Sequence, residues 1–218
     1  MNDSIPQQRL IHAAICFVVS PRLTSFEQAL SSNESVTEWD DADTALRASL
    51  YHLRHLSQAW KQVLARDVYH MSMGNLIDLV LVLFVDPVLK AGDITESASR
   101  FVHSLFLDAT RGAADLFLVD STPDNTSIND HVSQKITDGT STDFRQQRNF
   151  HVAKKYSNLF DKAQAVGQFM CMRLDEIQRG LEEGVFRSVT ARELSHLIIA
   201  AFDDSRKRAT LLNELASR

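Results

Sequence analysis

Apolar positions recur at spacings of three and four over most of this chain, the pattern of amphipathic helices. From about Ala42 to Leu64 the stripe is Leu46, Leu50, Leu53, Leu56, Trp60, Val63 and Leu64, with Arg47, Arg54 and Lys61 turned away. Asp40 or Asp41 is placed to cap that helix. From Asp67 to Lys90 the apolar residues, among them Met71, Leu76, Ile77, Val80, Leu83 and Phe84, lie on most sides. This segment is therefore expected at the centre of a bundle. Gly74 within it costs about 1 kcal/mol relative to Ala, unless a close helix contact needs the missing side chain. Asp93 or Thr95 opens the next helix, whose stripe runs from Ala98 through Phe101, Leu105, Phe106 and Ala113 to about Val119. One long helix is expected from about Val152, with Tyr156, Leu159, Phe160, Val166, Met170, Leu174, Ile177 and Leu181 on one face and Gly180 and Gly184 closing it.

The last stretch, Ser188 to Ala216, opens with Thr190 and has Glu193 three residues later, the arrangement of a reciprocal capping box. Leu194, Leu197, Ile198, Ala201 and Phe202 share a face. Asp203, Asp204 and Ser205 then interrupt the apolar run, and either start a new helix or continue the old one. Arg206, Lys207 and Arg208 come next, then Leu211, Leu212 and Leu215.

Two tracts break the pattern. Residues 20–41 are rich in Ser, Asn, Asp and Glu, with Phe26, Leu30 and Trp39 as anchors, and read as a loop after a short apolar helix at about 7–19. Residues 120–143 are Ser, Thr, Asp, Asn and Gly with isolated Ile128, Val132 and Ile136, and read as a mobile insertion. The expected division is 1–38, the end of a preceding helical unit plus loop, and 39–218, a helical bundle carrying that insertion. The sum is about six helices and no credible strand pair, so the fold class is all-α.

Composition narrows the function classes. The 218 residues hold 7 Gly and 4 Pro, scarce enough to favour long helices over a turn-rich all-β fold. A net charge of −5 argues against a protein whose main business is nucleic acid. The apolar runs Leu10–Val19 and Leu76–Val88 are too short to span a bilayer, and no basic segment precedes the first. Direct nucleic-acid binding and membrane insertion are not expected. Cys16 and Cys171 stand in apolar settings and read as buried free thiols.

Chemistry is sparse. His52 and His55 share a helical face, but no acidic residue or Cys is placed to complete a metal set. The pairs Asp40–Asp41, Glu182–Glu183 and Asp203–Asp204 sit where helix ends need charge. Tyr51, Trp60, Tyr69, Phe84, Phe101, Phe106 and Phe117 lie on core stripes and read as packing. Glu193 and His196 have the Glu-x-x-His spacing of a bundle metal site, yet the pair is single and Glu193 already closes the capping box. A ligand-responsive regulator would need a basic helix-turn-helix head, which the first forty residues lack. No enzyme, cofactor or metal centre is expected; the alternatives are a single-domain ligand-responsive regulator or another helical adaptor.

Three segments in order carry a resemblance. Leu50 to Gly74, with Trp60, Val63, Leu64, Tyr69, Met73 and Gly74 as matching positions, resembles the C-terminal region of the zeste-white-ten family. Asp93 to Phe106 fits in order. So does the terminal stretch, through Leu194, Leu197, Ile198, Ala201, Phe202, Arg206, Arg208 and Ala209. The likeness runs from about 35 to 216. It departs at Ala65, where the family usually has Pro after Val-Leu, so the helices on either side are expected to run together.

The resemblance implies an elongated stack of helical bundles of the multisubunit-tethering type, part of a longer scaffold. The family's settings are a Rod–Zwilch complex that recruits dynein and checkpoint proteins to kinetochores, and an endoplasmic-reticulum tether for Golgi-derived vesicles that engages SNAREs. It also implies a cytoplasmic location, peripheral at the reticulum membrane or the kinetochore. The C-terminal part would grip a large helical sister subunit. Arg206, Lys207, Arg208, Leu211, Leu212 and Leu215 are the candidate contacts; the leucines alternatively close this chain's own core.

Overall fold

The structure is a computed structural model; it describes Phe26, Leu30 and residues 36–117 and 141–217. Among the described residues the chain forms eight α-helices and no strand: α1 (Val36–Lys61), α2 (Arg66–Lys90), α3 (Glu96–Leu116), α4 (Ser141–Tyr156), α5 (Phe160–Phe169), α6 (Leu174–Glu183), α7 (Ala191–Ala201) and α8 (Arg206–Ala216). The expected helix at 7–19 and nearly all of the 120–143 tract lie outside the described residues; Ser141 already begins α4.

Helices α2 and α3 organise the bundle. Helix α3 packs on α5, α1 and α4, while α2 packs on α1, α5, α4 and α7. By length and composition α2 could cross a membrane, yet more than half of its most apolar window is buried in the bundle. Phe84, Val85 and Val88 are among the buried residues of its second half. Phe26 and Leu30 are buried in the same core. Phe26 meets Trp39 and Phe84 edge-on, and Trp39 lies on Phe101, so all three expected anchors pack.

Gly74 is required by contact. A Cβ there would lie 2.0 Å from the carbonyl oxygen of Tyr156, a backbone atom at the end of α4. One turn along α2, Asp78 receives the link that leaves Tyr156. Its carboxylate accepts from the Ser157 hydroxyl at 2.5 Å and from the Asn158 and Leu159 amides, each at 3.0 Å. The Leu159 amide is that of the α5 N-cap, and the other two donors immediately precede it. Asp78 therefore caps α5 from a helix some eighty residues earlier, at charge-assisted strength.

That contact corrects the single long helix expected from Val152. The segment is three helices, α4, α5 and α6, broken at 157–159 and again at 170–173. At the second break, the Arg173 amide donates to its own capping-box residue, Glu176, at 2.7 Å. Gly184 does close α6, with φ 76°, a left-handed conformation that glycine adopts without strain. The helices flanking Ala65 do not run together: Val63 and Leu64 close a turn on the Trp60 carbonyl, and Ala65 is extended. Asp40 and Asp41 are not caps either. Helix α1 already runs from Val36, inside the tract expected to be a loop as far as 41. Cys171 is exposed rather than buried, its thiol donating to the Gln168 carbonyl.

An aromatic box lies between α2 and the ends of α3 and α4. His70, 6% exposed, is flanked by Tyr69, Phe117 and Tyr156, with ring centroids 5.4, 5.9 and 5.0 Å away. Burial, aided by Arg66, holds its pKa below the ordinary histidine value. Beside it the buried Tyr69 hydroxyl donates to the Leu116 carbonyl at 2.7 Å and bonds Ser57 Oγ at 2.6 Å.

Candidate functional site

The terminal corner is built from local signals. Thr190 caps α7: its hydroxyl accepts from the Glu193 amide, and Glu193 accepts from the Thr190 amide at 2.9 Å. Glu193 also takes Lys162 of α5 at 2.9 Å. Burial would raise its pKa, but the Thr190 and Lys162 hydrogen bonds hold it below the usual carboxylate value. Both Glu193 oxygens are thus engaged in structure, and His196 is exposed on the α7 surface. Ser205, not an aspartate, caps α8, its hydroxyl accepting from the Arg208 amide at 3.2 Å. The interruption at 203–205 therefore begins a new helix.

The predicted contact residues separate into two sets. Leu211 and Leu215 are 3% and 4% exposed and pack in this chain's own core. Leu212 is half-buried against that core. Lys207 binds both carboxylate oxygens of Asp175 at 3.0 Å, pinning α8 to α6. Arg208 bends back over the end of α7, donating to the Phe202 carbonyl at 2.7 Å and pairing with Asp204 at 3.0 Å. A cation there also suits the negative end of the α7 dipole. Its Nε is buried with no acceptor among the described residues. Arg206 is exposed at the first position of α8.

Lys207 and Arg208 form one wall of a cleft of about 970 Å³ between the start of α3, the α5–α6 link and the α7–α8 corner. The floor is apolar, with Ile94, Phe169, Met170 and Ala200 buried. A backbone bond from the Ile94 amide to the Ala200 carbonyl, 2.9 Å, fixes the two sides. Ile199 stands 52% exposed at the rim, with Arg100, Arg173 and Asp203 around it. An apolar floor under a charged rim is the form of a groove that takes an amphipathic helix. The Arg206–Arg208 cations stand out in the sequence, but the α3 and α5–α6 walls do not. Only the fold brings those segments together.

By spacing, Val63, Met71 and Tyr51 belong to core stripes. They are 81%, 60% and 59% exposed. The His52 and His55 rings both lie near the Tyr51 ring, with centroids 5.9 and 4.4 Å away, and are exposed with it.

A family model described as the ZW10 C-terminal helical domain matches residues 44–215, most of the chain. No curated protein matches it.

Proposed function

This chain belongs to the family of the ZW10 C-terminal helical domain, a helical scaffold family, and we propose that its terminal corner docks a helix of a large sister subunit. In this reading the chain contributes no catalysis. It serves as the C-terminal part of a subunit in a Golgi-to-ER vesicle tether, a kinetochore complex for checkpoint and dynein recruitment, or both. SNAREs are reached through other subunits, at the cytoplasmic face of the reticulum. The unit 39–218 is the docking bundle, and its core extends back to Phe26.

The supporting observation is the cleft beside α8, where the exposed Ile199 stands with Lys207 and Arg208 along a floor of buried apolar residues. A partner helix would lay apolar residues on Ile199 and Met172 and bring an acidic or carbonyl oxygen toward Arg208. Arg206 is exposed at the start of α8, next to Lys207 of that wall, and half-buried Leu212 follows Arg208 by one helical turn. The test is affinity purification of the full-length chain from its own cells, with mass spectrometry of what accompanies it. The expected outcome is large helical subunits together with SNAREs or kinetochore components. Ile199→Asp with Arg206→Glu should remove them while thermal stability stays within about 0.5 kcal/mol, as befits exposed positions. Retention of those partners by this variant refutes the docking site.

A further inference from the structure

The cations at the start of α8 stand just ahead of a hydroxyl. Arg206, Lys207 and Arg208 lie four, three and two residues before Thr210, and Leu211 follows it. Clustered basic residues on the N-terminal side of a hydroxyl are the charge pattern that basophilic protein kinases select. Other hydroxyls among the described residues have basic residues at these offsets, but the fold or the local sequence sets them apart. Ser49 after Arg47, Ser57 after Arg54 and Ser157 after Lys154 and Lys155 are buried. Thr190, three residues after Arg187, is committed to the α7 capping box. Ser195 follows Arg192 at the same offset, with the acid Glu193 between them. Thr210 is exposed, and its hydroxyl donates back to the Arg206 carbonyl at 3.0 Å. Helix α8 has 11 residues, of which Leu211 and Leu215 are buried. A helix that short is marginal without its packing, so local opening presents the segment to an enzyme.

We propose that Thr210 is a phosphorylation site, and that its phosphate competes with Asp175 for Lys207 and so loosens α8 from α6. In the transfer, Thr210 Oγ1 bonds to the γ-phosphorus of ATP and the bond from that phosphorus to the β–γ bridging oxygen breaks. ADP leaves, and the hydroxyl proton passes to the carboxylate base of the kinase. The product carries a charge of about −1.5 to −2 at pH 7. Arg206 and Lys207 stand four and three residues before it on the same helix, within side-chain reach. Glu214, four residues after it, is the acid on that face, so the phosphate is drawn toward the two cations. The ammonium of Lys207 is held by the single carboxylate of Asp175, in an exposed pair. A phosphate one turn away, with more charge and three acceptor oxygens, attracts it more strongly. Helix α6 packs mainly on α8, so this pair bears on how firmly α6 is held. Lys207 also lines the cleft beside α8, and the same event changes the charge of that wall. The phosphorylation itself does not depend on what the cleft binds.

The test is incubation of the full chain with MgATP and the purified catalytic subunit of the cyclic-AMP-dependent kinase, a basophilic enzyme, with phosphosites mapped by mass spectrometry. Phosphate should appear at Thr210. Arg206→Ala/Lys207→Ala should lower the rate at that site on the order of tenfold or more. Amide exchange then reads the structural consequence. The phosphorylated chain should exchange about two- to fivefold faster in α6, the range for loss of an exposed ion pair. Lys207→Ala should reproduce that change without phosphate, and phosphorylating Lys207→Ala should add nothing to it. Both substituted positions are exposed, and each variant is checked for unchanged helical circular dichroism. Absence of phosphate from Thr210 in the folded wild-type chain overturns the site, as does an undiminished rate in the Arg206→Ala/Lys207→Ala chain. Unchanged α6 exchange in a stoichiometrically phosphorylated chain overturns the competition for Lys207. So does a further increase on phosphorylating Lys207→Ala.

Discussion

Replacing Gly74 by alanine sets two physical effects against each other. Within a helix, alanine is favoured over glycine by about 1 kcal/mol, so propensity alone predicts a more stable protein. The new Cβ, however, would lie 2.0 Å from the Tyr156 oxygen and 2.6 Å from its carbonyl carbon. Backbone atoms cannot rotate out of the way, so α4 must retreat from α2, at a cost of about 1–3 kcal/mol for overpacking. The retreating link carries the three donors held by Asp78. Lengthening those charge-assisted bonds removes about 1.5–3 kcal/mol more. The net expectation is destabilisation by about 1.5–5 kcal/mol, which for a domain of this size lowers Tm by roughly 3–20 °C. Urea and thermal unfolding of the full chain read it directly. Gly92→Ala is the control, since a Cβ there meets nothing within 4 Å; it should be neutral or slightly stabilising. A Gly74→Ala protein as stable as wild type, or more so, would refute the contact as the reason for this glycine.

The same packing sets other measurable outcomes. Asp78→Ala should cost about 2–3 kcal/mol and raise amide exchange selectively at Asn158 and Leu159, read by exchange-detected NMR. Tyr69→Phe should cost about 1–3 kcal/mol in urea unfolding, because the Leu116 carbonyl and Ser57 lose a buried partner. Because the His70 pKa is depressed by folding, its neutral form is the stabilising one. That stability is complete above the unfolded value near 6.5 and is lost as pH falls from there through the folded value. The urea midpoint should therefore drop between about pH 7.5 and pH 5.5, and His70→Phe should flatten that part of the profile.

The features legible in the sequence were local. The Thr190–Glu193 box, the Thr95 cap and the apolar character of α2 depend on neighbours within a few residues, and the structure has each of them. The features that were not legible depend on distant partners. The stripe from Tyr156 to Leu181 keeps helical spacing straight through 157–159, because the apolar side chains on both sides face the same core. The break is made by Asp78, whose carboxylate competes for the amides that would have continued the helix. Val63 and Met71 fit their stripes by spacing, yet the chain reverses at 62–65 and leaves them outside. At the terminal corner the three cations were legible as charge. Lys207 proves to be held by Asp175, and Arg208 by the end of α7; both partners become neighbours only through folding.

The apolar character of α2 also bears on how this chain is made. The helix leaves the ribosome as a 25-residue stretch with the hydropathy of a membrane span. Its shields include α4, α5 and α7, which are synthesised up to a hundred or so residues later. At ordinary elongation rates of roughly 5–20 residues per second, that leaves on the order of ten seconds in which α2 has only α1 and, soon after, α3 against it. During that interval much of its apolar surface faces water. Full burial of α2 therefore waits until Gly74 and Asp78 receive the link between α4 and α5. Truncations ending before α5 should leave α2 partly exposed and aggregate or be degraded.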